Sequence, residues 1–127
     1  MEETSKYSKG EFIIREKSIV LDKYVRDNIA NAIPSVHRDI KIHLLDELYN
    51  VIRNLHFAIY NKGNIRIKYI TEIIINISLI DYLFGYIKDY DSVNKLKLRK
   101  ATKMLLDVRN MIKKWKLTEE SKKNENR

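Results

Sequence analysis

The sequence predicts an all-α fold, an antiparallel up-down-up-down four-helix bundle. Three observations lead to it. Apolar residues recur every three or four positions along most of the chain, the spacing of one helix face. Helix breakers are scarce, three glycines and one proline in 127 residues, and Pro34 and Gly63 fall between the periodic segments. The connections are also short, and short connections make successive helices antiparallel neighbours. Strands are favoured only by the many isoleucines, a weak preference that the periodicity overrides.

Residues 1–11 read as a flexible tail, 12–117 as the bundle, and 118–127 as a charged, disordered tail. The first helix starts at Phe12 or Ser18 and ends at Ile33, with Leu21, Val25, Ile29 and Ala32 on one side. Pro34 ends it, because proline disfavours helix in the residue before it. Ser35 is the expected cap of a second helix from Val36 to Tyr60, striped by Ile40, Leu44, Leu48, Val51, Ile52, Leu55 and Ile59. Gly63 suits the left-handed position after that helix. The third helix runs from Ile65 to Lys88 and is apolar on two sides. One stripe is Ile70, Ile73, Ile77, Ile80, Phe84 and Ile87; the other is Ile75, Leu79, Tyr82, Tyr86 and Tyr90. A helix with two apolar faces needs two sets of neighbours. In a bundle this small the second set is expected from another subunit. Asp91 or Ser92 caps the last helix, Val93 to Trp115, which buries Leu98, Ala101, Leu105, Val108, Ile112 and Trp115.

Opposite that last stripe stand Arg99, Lys100, Lys103 and Lys114, with Arg109 and Lys113 on the flank. From Lys95 to Lys116 there are nine Lys/Arg and one acid, Asp107. The formal net charge of the chain is +8, which points to nucleic acid or an acidic partner. Asp107 is placed to pair with Lys103 one turn earlier.

Several chemistries lack their residues. There is no cysteine, hence no disulfide, thiolate nucleophile or cysteine-held zinc. No glycine-rich phosphate loop or nucleophile elbow occurs. His43 with Asp46 or Glu47 is the nearest approach to a metal pair and falls short of a ligand set. No cofactor or metal is expected. The segment MEETSKYSKGEF lacks the apolar core of a signal peptide, and Ile70 to Phe84 is too short to span a bilayer. The expectation is a cytoplasmic protein with no membrane partner.

Two segments carry a family resemblance. Ala32-Ile33-Pro34-Ser35-Val36-His37-Arg38 at the first turn and Asp107-Val108-Arg109-Asn110-Met111-Ile112-Lys113-Lys114-Trp115 near the end look like one small four-helix-bundle family. It includes proteins encoded in 23S ribosomal RNA intervening sequences and the accessory variability determinant (Avd) proteins of diversity-generating retroelements. Ile33, Pro34, Arg38, Asp107, Val108, Met111, Ile112 and Trp115 match, over a span of about residues 18–117. Arg109, Lys113 and Lys114 stand where the family has glycines. The third helix carries Leu83-Phe84-Gly85-Tyr86 where the family commonly has an arginine. The basic composition favours the Avd branch. The resemblance implies a non-enzymatic accessory factor, a homo-oligomer and commonly a pentamer, that binds the element's reverse transcriptase and its template RNA and cDNA. Arg99, Lys100, Lys103, Arg109, Lys113 and Lys114 are the expected phosphate contacts, and Ile75, Leu79, Tyr82 and Tyr86 the expected subunit contact.

A second resemblance is to HEPN ribonucleases, whose R-x4-H motif is matched by Arg38 through His43. That would make the chain a metal-independent ribonuclease. A helical offset of five separates two side chains by about 140°, so the pair does not share a face unless the helix is bent or just starting, and no cleavage is expected. An oligomeric bundle of other function is the third reading.

Overall fold

The computed structural model describes residues 8–125, and among them there are four long α-helices and no strand. They are α1 (Lys9–Asn28), α2 (Arg38–Ile59), α3 (Gly63–Ile87) and α4 (Lys95–Glu125). The helices form a bundle in which α1 packs on α2 and α4, and α3 packs on the same two. Each helix therefore has two neighbours and one diagonal partner.

The predicted stripes are the core. Leu21, Leu44, Leu48, Leu55, Ile70, Ile73, Ile77, Ile80, Leu105 and Ile112 are fully buried. Each such side chain contributes about 1.5–3 kcal/mol through removal from water. Ile40 and Ile52 are only partly buried, at the edge of the stripe of α2.

Helix ends differ more than helix faces. The first helix starts earlier than its apolar pattern, because Ser8 and Glu11 form a reciprocal capping box, each side chain accepting from the other's backbone N–H at 3.1 Å. Residues 8–11, expected in the tail, thus belong to the helix and its cap, and residues 1–7 lie outside the described residues. Ser35 makes no side-chain cap; it opens a short 3-10 turn, Ser35–His37, from which α2 starts at Arg38. Gly63 takes the left-handed conformation, with φ +63°, where the chain turns into α3. The cap of α4 is Asn94, whose Oδ1 accepts from the N–H groups of Leu96 (2.9 Å) and Lys97 (3.0 Å). Ser92 instead donates its hydroxyl to the Ala32 carbonyl at 2.6 Å, tying the α3–α4 connection to the α1–α2 connection.

The largest difference is at the C-terminal end. Residues 118–125 were expected to be a disordered tail, yet α4 continues as helix to Glu125. Glu119 lies four residues after Trp115, on the buried stripe, and its carboxylate accepts from buried Arg66. That ion pair supplies the burial that the charged composition does not announce. Residues 126–127 lie outside the described residues.

The third helix is also longer than its apolar centre. At 25 residues it is long and apolar enough to cross a membrane by length and composition alone. In the bundle it is a core helix, with Arg66 and Asn76 among its buried residues.

Candidate nucleic-acid interface

The basic face of α4 is built by the same periodicity that builds the core. Leu98, Ala101, Leu105, Val108, Ile112 and Trp115 fix which side of α4 is buried, so Arg99, Lys103 and Lys114 must project outward. All three are exposed, as are Lys100 and Lys113. No ion pair engages these five among the described residues, and Asp107 does not pair with Lys103 as expected. The carboxylate lies on the exposed side, but the two ends do not come within salt-bridge reach. The cations are therefore available for external anions. Lys100 is the most constrained, its Nζ 4.9 Å from the centre of the Tyr24 ring on α1.

Arg109 departs from the expected set. Eleven residues after Leu98, it falls at nearly the same helical angle, at the margin of the buried stripe. It is half-buried, and its Nε is closed to solvent without a hydrogen-bond partner among the described residues. Its stem packs along the bundle rather than joining the outward face.

The positive surface extends beyond α4 to one end of the bundle. A cleft of about 470 Å³ is lined by Lys62, Gly63, Asn64, Arg66, Lys122 and Lys123, with Glu119 at its wall. Sequence reading missed this because Lys62 and Lys122 are far apart in the chain.

Beneath the cleft lies a buried hub. Arg66 donates from Nε to the carbonyls of Ala58 (2.8 Å) and Asn61 (2.7 Å), and from Nη2 to Ile59 (2.9 Å). The Ala58 and Ile59 carbonyls belong to the C-terminal turn of α2, which carries partial negative charge, and that of Asn61 to the turn that follows. Nη1 donates to Glu11 of α1 (2.8 Å) and Glu119 of α4 (3.1 Å). The guanidinium also lies 5.5 Å from the Trp115 ring centre. One side chain thus joins all four helices at this end. A second polar bridge joins α2 to α3: Asn54 donates to Asn76 (2.9 Å), which donates to Glu47 (3.0 Å).

The second stripe of α3 is on the surface. Ile75, Leu79, Tyr82 and Tyr86 are 48%, 42%, 60% and 48% exposed, whereas comparable core positions are near zero. The hydroxyls of Tyr82 and Tyr86 share a hydrogen bond of 2.9 Å, and the rings meet edge to face. That bond and the neighbouring phenol raise the Tyr82 pKa above the usual tyrosine value. Tyr90 does not continue the row, because α3 ends at Ile87. Its ring stacks on His37 at 4.2 Å, and burial with the nearby Asp39 carboxylate raises its pKa.

Arg38 and His43 are both exposed on α2. Arg38 lines a cleft of about 370 Å³ with Ile33, Pro34, Ser35, Lys41, Ile42 and Leu45, and His43 is not among its walls. Among the described residues no three of His, Cys, Asp or Glu cluster to hold a metal.

Comparison with protein-family models, curated proteins and solved structures finds no match for the chain.

Proposed function

We propose that the chain is a non-enzymatic nucleic-acid-binding accessory protein that works as a homo-oligomer. The observation that carries this reading is the face of α4, where Arg99, Lys103, Lys113 and Lys114 are exposed and engaged by no acid among the described residues. Phosphate contacts from such side chains give affinity with little base discrimination. Exposed Asn110 lies on that face and the Tyr24 ring sits beside Lys100, few groups for reading bases among so many cations. The α3 row supports the oligomer, because a continuous apolar patch is rare on a soluble monomer. A ring would repeat the α4 face and turn weak contacts into useful binding.

The helices are proposed to run antiparallel, up-down-up-down. Supporting this, the α1–α2 and α3–α4 connections meet through Ser92 and Ala32. At the Arg66 end the α2–α3 turn meets the start of α1 and the last turns of α4.

The specific role proposed is that of an Avd-like protein of a diversity-generating retroelement, probed by its reverse transcriptase, template RNA and cDNA as partners. It rests on the Ile33-Pro34 and Asp107-to-Trp115 segments together with the basic face. A cytoplasmic setting and a pentamer belong to the same proposal. Co-purification of the chain with a reverse transcriptase from the same genomic neighbourhood tests it. A complex retained at physiological salt supports the role, and failure of the two proteins to associate overturns it.

A further inference from the structure

We propose that copies of this chain associate head to tail, the α3 row of one copy seating in the groove between α1 and α4 of the next. This rests on the oligomeric reading above and adds the surface that receives the row. The groove comprises two clefts along the same pair of helices, of about 420 and 320 Å³. Its apolar walls include Ile13 and Val20 from α1 and Met104, Met111 and Trp115 from α4. Ile13 and Val20 are 40% and 55% exposed, so the groove is apolar and open. Methionine adapts its shape to an inserted side chain.

Length and area agree with a second copy as the occupant. The row from Ile75 to Tyr86 spans about 17 Å of helix, and the α4 wall from Met104 to Thr118 about 21 Å. Half-exposed residues of this size present roughly 400 Å² together. That is the apolar centre of an interface whose usual extent is about 800 Å² per partner, the remainder being polar rim. The exposed acids Glu72 and Asp89 flank the two ends of the row. Lys17, Lys114 and Lys122 line the groove together with Glu11, Glu16, Asp107 and Glu119, of which Glu11 and Glu119 are held by Arg66 and Glu16 by Arg15. Lys114 is shared between this groove and the basic face, whereas Arg99 and Lys103 do not line the groove and stay free for phosphate.

The two surfaces cannot be the same patch, because α3 lies diagonally across the bundle from α1. The contact is therefore heterologous, and repetition closes a ring or extends a filament rather than stopping at a two-fold dimer.

Mixing two variants tests this. Leu79→Asp removes the ridge, and the double variant Ile13→Glu with Val20→Glu removes the groove. Circular dichroism checks that each remains helical; Tyr82→Lys, at a more exposed site, replaces Leu79→Asp if it does not. Light scattering on a sizing column should give each variant alone as a monomer near 15.2 kDa. The mixture retains one intact ridge and one intact groove, so it should yield a species of twice that mass and no larger. A mixture that stays monomeric, a groove variant that assembles like the wild type, or a monomeric wild type would each overturn the proposal. Binding of RNA by the wild-type chain is read separately. A monomer that binds RNA removes the assembly and keeps the function, and an assembly that ignores RNA does the reverse.

Discussion

Arg66 is the residue on which most local interactions converge. Its guanidinium is 9% exposed and satisfies three carbonyls and two carboxylates at once. Removing one member of a buried ion network leaves charges without partners, which costs about 3–5 kcal/mol. Arg66→Met should lower stability by that order in urea melts followed by circular dichroism. Arg66→Lys should restore little of it, because a single ammonium cannot reach the carbonyls and carboxylates together. Tyr90 makes a pH prediction. Its folded pKa is raised, so its neutral form is favoured in the bundle. The stabilisation is complete below the usual value of 10.0 and is lost as pH rises through the raised folded value. Tyr90→Phe should flatten the fall in melting temperature at alkaline pH. None of the hub was legible in the sequence, because Arg66 is 55 residues from Glu11 and 53 from Glu119. By contrast the Ser8–Glu11 capping box was written locally as S-x-x-E, and the polar composition around it obscured the signal.

At the scale of the helix, faces were legible and ends were not. The Ile70-to-Ile87 stripe of α3 and the stripe of α4 became core residue for residue, since a period of 3.6 positions the buried side regardless of partners. Ends depend on single bonds that composition does not reveal. Asn94 caps α4 while Asp91 and Ser92 are equally good cap residues in isolation. Glu119 continues the Trp115 stripe as a carboxylate, so residues 118–125 read as solvated when they are held helix. Deleting residues 117–127 should therefore lower the melting temperature and shift Trp115 fluorescence toward solvent. A disordered tail would give no change in either. In the same helix, Leu105→Ala should cost about 2–5 kcal/mol in denaturant unfolding, because it opens a cavity at a fully buried position.

For the whole molecule, the distribution of charge matters more than its total. The helix α4 concentrates unpaired cations outward, while the apolar row of α3 lies on a different side of the bundle. The candidate site was legible to the extent that helical phase alone places side chains, which recovered Arg99, Lys100, Lys103, Lys113 and Lys114. Arg109, placed on the flank by phase, is half-buried, a degree of shelter that phase alone does not give. The positive cleft of Lys62, Lys122 and Lys123 required the tertiary fold. The most direct test of the account is filter binding of RNA and single-stranded DNA across a salt series. It compares the wild type with a variant carrying Glu at Arg99, Lys100, Lys103 and Lys114. Wild-type affinity should fall roughly a hundredfold between 50 and 200 mM salt if about four phosphates are neutralised. The variant should bind neither nucleic acid while keeping its helix content. An affinity independent of salt, or one left unchanged by the four substitutions, would contradict the assignment of this face to nucleic acid.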